Sequence, residues 1–175
     1  CGRQQIVFVA HSLGGIVVRN MLSSSAPQLR NTDLGVLLVA SPSNGSDYAT
    51  IASWLAKHYP NSFAKEMARN SVTLEDINKE FRAFQKTRSS TNVLRVMELF
   101  ETRFPSFECD FVIFCSWVTV SLPPIVSTYT AGFFAMAPKR VGDTDHLPIA
   151  KPRHPGSETT LDSQAFLQTF VHPAA

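Results

Sequence analysis

The sequence has few charged residues and few cysteines, and both shortages limit the partners and the kinds of site that it is expected to have. Charged residues make up 17% of the 175 residues and the formal net charge is +2, which argues against nucleic acid or a strongly anionic membrane as a partner. The three cysteines are an odd number without C-x-x-C spacing. This disfavours a disulfide framework or a zinc site and mildly favours a reducing, intracellular compartment.

Charge is absent altogether from residues 111–137. The stretch is long enough to raise the alternative of a membrane span, but Pro123 and Pro124 interrupt it and would break a spanning helix. We favour a buried strand, Phe111 to Val120, followed by an apolar loop. A membrane anchor within 111–137 stays open as the alternative.

A short apolar run near the start leads into a serine and then into an apolar helix. The run Ile6–Val9 predicts a strand, and the helix is expected to begin at Ser12 or Leu13. Ala10 and Gly14 supply small residues on either side of Ser12, as a nucleophile elbow requires where the chain doubles back. This pattern predicts Ser12 as a nucleophile, with a structural serine in a βα turn as the alternative.

The first turn of that helix carries the other residues expected at the elbow. Its free N–H groups and their partial positive charge point toward the turn, so the N–H of Leu13 is the predicted oxyanion donor. We group His11, which precedes the serine, with Leu13 as an oxyanion or substrate-binding residue.

The next apolar run, Leu34–Ala40, is bounded by turn residues and is typical of a parallel strand buried on both faces. Strand, helix and strand form a βαβ unit and indicate an α/β fold. The polar stretch Ser41–Asp47 follows at the carboxyl end of the second strand, where open parallel sheets bind ligands. It therefore either borders the site or is a plain connection.

The middle of the chain predicts helices followed by a further strand. One helix has Thr73 as its N-cap and an apolar stripe that we expect to face the core. The expected elements are helices over Tyr48–His58 and Asn61–Asn70, the capped helix with its stripe Leu74, Ile77, Phe81 and Phe84, and a strand over Val93–Phe100.

Two ionisable residues complete a possible triad downstream of the serine. Glu101 lies just past the predicted strand and is the expected acid, with Glu98 as the substitute. His146, in a polar turn ahead of the last helix, is the expected general base. The chain then closes with a linker, Pro148–Pro155, and a helix near Leu161–Val171 that Ser157 or Thr160 would cap.

Four stretches between residues 7 and 152 carry a resemblance to a known family. They are Val9-Ala10-His11-Ser12-Leu13-Gly14-Gly15, Ala40-Ser41-Pro42-Ser43-Asn44-Gly45-Ser46-Asp47, Leu99-Phe100-Glu101-Thr102, and Thr144-Asp145-His146 with Ile149-Ala150-Lys151-Pro152. In this order they resemble the α/β-hydrolase superfamily. Within it they resemble the serine-active-site-containing, lipase-like group related to GPI inositol-deacylases and phospholipid-remodelling proteins.

The resemblance implies a partial α/β-hydrolase fold, a parallel sheet from the elbow strand onward with helices on both faces. It assigns Ser12 as nucleophile, Glu101 as acid and His146 as base. The sequence departs from the family in two ways. The strands and the second oxyanion loop that the family has ahead of the elbow are absent, and the connection from Cys109 to Arg140 is longer and more apolar.

We therefore expect one α/β-hydrolase domain over residues 1–175, a piece of a longer chain without the fold's N-terminal strands and inactive by itself. Its expected activity is hydrolysis of carboxylic esters, of lipids or small molecules, with peripheral membrane contact left open and no metal or organic cofactor. The alternatives are a lipid transacylase and an inactive hydrolase-like module that binds a partner or regulates attached domains.

Overall fold

A computed structural model of the chain describes residues 4–42, 71–88, 92–102, 134, 138–142, 144 and 147–171. The helices and strands are β1 (Gln4–His11), α1 (Gly14–Ser24), β2 (Thr32–Val39), α2 (Ser71–Lys86), β3 (Leu94–Phe100), β4 (Lys139–Arg140) and α3 (Glu158–Val171), with a 3-10 turn at Pro148–Ala150.

The four strands among the described residues form one parallel sheet in the order β1-β2-β3-β4. Strand β2 pairs along its whole length with β1, from Gln4 opposite Thr32 to His11 opposite Val39. Parallel neighbours joined through helices define an α/β fold, so the predicted fold class is confirmed. The arrangement is consistent with part of an α/β-hydrolase sheet.

Side chains alternate between the two faces of β2, and both faces are covered by helices. Leu34, Val36 and Leu38 pack with Phe81 and Phe84 of α2 on one face. On the other face, Leu37 and Val39 pack with two aromatic residues of α3, Phe166 and Phe170. All eight residues of β2 are buried, which explains why its sequence is continuously apolar near its centre.

The predicted apolar stripe of α2 is confirmed, since all four of its members are buried in the core: Leu74, Ile77, Phe81 and Phe84. The predicted start is wrong, because the helix begins at Ser71 and Thr73 lies inside its first turn. The helices predicted over 48–58 and 61–70 lie outside the described residues.

The last strand differs from the prediction. The two-residue strand β4, Lys139–Arg140, pairs with the end of β3 and comes later in the chain than the expected last strand. That strand, 111–120, lies outside the described residues. The hydrophobic pattern does not predict β4, because a strand of two charged residues has no alternation of apolar and polar residues.

Of the apolar segment 111–137, only Phe134 is described. Its ring lies in the core, 5.2 Å from the ring of Phe81 in an edge-to-face contact. Over the described part of the chain, no helix combines the length and the apolar character needed to cross a bilayer.

Polar contacts attach α3 to the segment around β4. Glu158 Oε2 accepts the backbone N–H of Gly142, and Asp162 forms an ion pair with Lys139. The helix begins at Glu158, three residues before the predicted Leu161. Of the two predicted caps, Ser157 is confirmed, because its hydroxyl accepts the N–H of Thr160. The stretch 148–155 is more than a linker, because its Ile149 is fully buried.

Strand β1 stands at one edge of the described sheet and exposes apolar side chains there. Val9 is 62% exposed and Ile6 is 37% exposed, whereas every residue of β2 is buried. On α1, Val17 and Met21 are exposed as well. An exposed apolar strand at the edge of a sheet is prone to pair with another chain.

Helix α3 approaches β2 so closely that a methyl group on Gly35 would overlap with the Phe170 ring of α3. A Cβ atom at this position would lie 2.8 Å from Cε2 of Phe170. We expect Gly35→Ala to lower the free energy of unfolding by about 1–3 kcal/mol through overpacking, measured by denaturant titration.

The matched control is Gly156→Ala. Its Cβ would make ordinary contacts with the His154 ring, 3.6 Å from Nδ1 and 4.0 Å from Cε1, and the substitution should leave stability nearly unchanged. Adding Phe170→Leu to the Gly35→Ala variant should restore part of the loss, because the crowding ring is removed. Equal stability of the two alanine variants would contradict the close packing of α3 on β2.

The exposed edge predicts self-association of residues 1–175 when they are expressed alone. A charge on the edge should oppose strand pairing, so Val9→Lys should shift the material toward monomer in size-exclusion chromatography with light scattering. Leu161→Lys is the control, since Leu161 on α3 is also apolar and 52% exposed. An equal shift in both variants would exclude β1 as the cause.

Candidate active site

Ser12 occupies the sharp turn between the parallel strand β1 and helix α1, as the sequence predicts. Its φ of 53° lies in the left-handed region, which costs a non-glycine residue about 1–3 kcal/mol. Its N–H donates to the carbonyl of Val39 at 3.0 Å, and its carbonyl accepts the N–H of Gly15 at 3.1 Å. The turn is thus bonded both to the end of β2 and to the first turn of α1.

The predicted oxyanion donor lies at the start of the helix. Leu13 is the N-cap of α1 and already has helical angles, φ −60° and ψ −22°. The hydrogen bonds of the first turn begin with Gly15, so the N–H groups of Leu13 and Gly14 precede them. The side chain of Leu13 packs beside Leu74 and Ile77 of α2, which brings α2 next to the elbow. His11 is half-buried at the last position of β1.

Helix α1 touches the segment that follows β2, and a glycine permits the contact. A Cβ atom on Gly15 would lie 2.1 Å from the Oγ of Ser41. The first two residues of the predicted site-bordering loop, Ser41 and Pro42, are therefore beside the elbow, while residues 43–47 lie outside the described residues. Ala40, just before them, also has a left-handed φ of 47°.

Glu101 follows β3 at the same edge of the sheet and is 2% exposed. The next residue, Thr102, donates its N–H to the carbonyl of Thr144 at 3.1 Å. This bond places the segment that leads to His146 alongside the predicted acid. His146 itself lies outside the described residues, so its predicted approach to Ser12 remains a prediction.

The alternative acid, Glu98, lies inside β3 opposite Leu38, on the face of the sheet that α1 and α2 cover. It is buried, and its negative charge partly offsets the desolvation that lowers the pKa of Arg19. Glu98 and Glu101 therefore occupy different environments. Glu98 lies on one face of the sheet near the cation Arg19, and Glu101 lies at the carboxyl edge of the sheet.

Arg19 is the residue near the elbow that the sequence analysis missed. It is fully buried and contacts Asn78 of α2. The signal was present in the pattern, because Ile16, Arg19 and Leu22 recur at three-residue spacing and all three are buried. A charged residue on an apolar helical stripe indicates a paired buried charge.

Within the described residues, no cluster of three or more His, Cys, Asp and Glu side chains is arranged to hold a metal ion. The described part of the site contains a serine in a strained turn, helix N–H groups and a buried carboxyl group.

The chain is similar to curated proteins named Protein SERAC1. It is 26% identical over 160 residues to the proteins of Mus musculus and Homo sapiens, and the match covers 87% of this chain and 22% of each of theirs. The Danio rerio protein is 31% identical over 96 residues, covering 50% of this chain and 14% of that protein. The chain thus spans about a fifth of the length of the mouse and human relatives. No protein-family model matches the chain. No solved structure matches it.

The left-handed turn predicts an unusual order of stability at position 12. Ser12→Gly should be more stable than Ser12→Ala by about 1 kcal/mol or more, because both lose the hydroxyl and only glycine adopts a positive φ without strain. Thermal and denaturant unfolding of the two variants would measure the difference.

Asn20 provides the control, as an exposed position in the middle of α1. There the usual order should hold, with Asn20→Gly less stable than Asn20→Ala by about 1 kcal/mol. The same order at both positions would contradict the strained turn at Ser12.

Proposed function

We propose that this chain carries the catalytic residues of a serine hydrolase that cleaves carboxylic esters, with lipid esters as the substrate class. The observation that carries the proposal is the φ of 53° at Ser12 in a strand-to-helix turn. A serine held in this conformation presents its hydroxyl above the carboxyl edge of the sheet, as a nucleophile elbow does. Backbone strain of this kind clusters at functional sites.

The proposed reaction is acyl transfer through a serine ester. The Oγ of Ser12 attacks the carbonyl carbon of the substrate while His146 takes its proton. The resulting oxyanion accepts a hydrogen bond from the N–H of Leu13, and one such donor lowers the barrier by about 3–4 kcal/mol. His146 then protonates the departing alcohol as the ester C–O bond breaks. Water activated by His146 releases the acid and restores Ser12.

Glu101 is the proposed acid, which orients His146 and stabilises its charged form. Two observations support it over Glu98. Glu101 lies at the carboxyl edge of the sheet, next to the bond that joins Thr102 to Thr144. Glu98 lies on the face of the sheet that α1 and α2 cover, where its charge interacts with that of Arg19.

The choice of lipid esters as the substrate class rests on similarity to other proteins. The sequence resembles the lipase-like serine hydrolases related to phospholipid-remodelling proteins, and it is distantly similar to Protein SERAC1 over 87% of its length. An acyl transferase would use the same serine ester with an alcohol in place of water. Product analysis with and without an alcohol acceptor separates the two reactions.

Substitution of the three residues in the complete protein tests the mechanism. Ser12→Ala and His146→Ala should each reduce kcat for a short-chain ester by about 10⁴-fold or more, and Glu101→Gln should cost about 10- to 100-fold less than these. A fluorophosphonate probe should label the wild-type protein at Ser12, and mass spectrometry of the labelled peptide identifies the site.

Glu75→Gln is the control for the carboxylate change, since Glu75 is exposed on α2 and its loss should leave kcat unchanged. Near-wild-type activity of a folded His146→Ala variant would refute the base assignment. A complete protein that neither reacts with the probe nor cleaves any ester would instead favour the inactive, partner-binding module.

A further inference from the structure

One buried guanidinium joins three elements that surround the Ser12 turn. Arg19 has no exposed surface, and each of its nitrogens donates a hydrogen bond. Nε donates to the carbonyl of Gly15 at 3.2 Å, Nη1 to Oδ1 of Asn78 at 3.0 Å, and Nη2 to the carbonyl of Pro42 at 2.6 Å. These acceptors belong to the first turn of α1, to α2 and to the segment that follows β2.

Burial of this cation is unfavourable in itself. Desolvation lowers the pKa of Arg19 to about 10, and the negative charge of Glu98 raises it in partial compensation. The guanidinium also lies 4.7 Å from the ring centroid of Phe134, over its face. A buried charge with an opposite charge nearby adds little net stability compared with well-packed apolar side chains, so stability alone does not account for an arginine at this position.

The geometry of the acceptors indicates what the arginine does. Residues 39–42 are held at two points, by the N–H of Ser12 on the carbonyl of Val39 and by Nη2 of Arg19 on the carbonyl of Pro42. Between these points, Ser41 touches the first turn of α1. Residues 39–42 therefore pack against the turn that contains Ser12.

We propose that Arg19 is a positioning residue for Ser12, holding the 39–42 segment and α2 against α1 so that the strained turn keeps its reactive conformation. This inference rests on the proposed function. A left-handed non-glycine residue persists only where its surroundings over-determine it, and the three bonds of Arg19 supply that constraint. A nucleophile displaced by about 1 Å loses about 10²-fold in rate.

Two variants of the complete protein test the role while limiting the risk of unfolding. Arg19→Lys keeps the charge but offers one nitrogen, which cannot span the separate acceptors. Arg19→Met combined with Glu98→Gln removes both charges, so that no unpaired charge is left in the core. Leu34→Ala is the control for lost stability, because Leu34 is buried near the amino end of β2, away from the edge of the sheet that carries Ser12.

The first readout is fluorophosphonate labelling of Ser12 as a function of probe concentration. We expect both Arg19 variants to label about 10- to 100-fold more slowly at saturating probe, with the half-saturating concentration unchanged. The control should label at the wild-type rate. Wild-type labelling rates in folded Arg19 variants would overturn the proposal.

The second readout is hydrogen exchange of the peptides that cover residues 10–16 and 38–42. Both should exchange faster in the Arg19 variants, while the peptide that covers β3 stays protected. Slower labelling without faster exchange would contradict a positioning role. If the wild-type protein does not react with the probe, the proposed function fails, and the exchange data alone then decide whether Arg19 holds the turn.

Discussion

Every other described strand and helix is arranged around β2, whose eight residues are all removed from solvent. It has a parallel neighbour along each edge and helices on both faces. A strand with no exposed side chain stabilises the fold only if each of these four contacts is made. The carboxyl ends of β1, β2 and β3 are consequently aligned, and Ser12, Ser41 and Glu101 follow those three ends in turn.

Charged side chains serve different purposes at the two ends of the sheet. At the amino end, the guanidinium of Arg88 donates to the carbonyls of Leu29 and Thr32, and Asp33 accepts the N–H of Val93. These contacts satisfy backbone groups where the strands begin. Nearer the carboxyl end, Arg19 links segments that are distant in sequence, so its loss would alter their relative placement.

The sequence predicted the parts of the fold that local patterns determine. The elbow turn, the buried strand β2, the apolar stripe of α2 and the Ser157 cap all depend on residues within a few positions of one another. The registers, the two-residue β4 and the role of Arg19 depend on contacts between segments tens of residues apart. Arg19 is an example of this limit of local patterns. Its spacing on α1 predicts that its side chain faces the core, but no local pattern predicts its hydrogen-bond partners Asn78 and Pro42.

The same limit applies to the candidate site. Small residues around Ser12 predicted the turn, since steric demand is local, and the structure adds the left-handed φ that the turn imposes. The choice between Glu98 and Glu101 was open in the sequence because both are close to the end of one strand. Their surroundings differ. Glu98 is near the buried cation Arg19, whereas the residues on either side of Glu101 are hydrogen-bonded to Val141 and Thr144.

The attachment of α3 to β4 has a consequence for the proposed site. A strand of two residues offers too little sheet pairing to fix the segment that leads to His146, and Glu158 and Asp162 supply the additional anchors. A truncation before Glu158 would leave Ser12, Glu101 and His146 in the sequence and yet remove the contacts that hold the segment leading to His146.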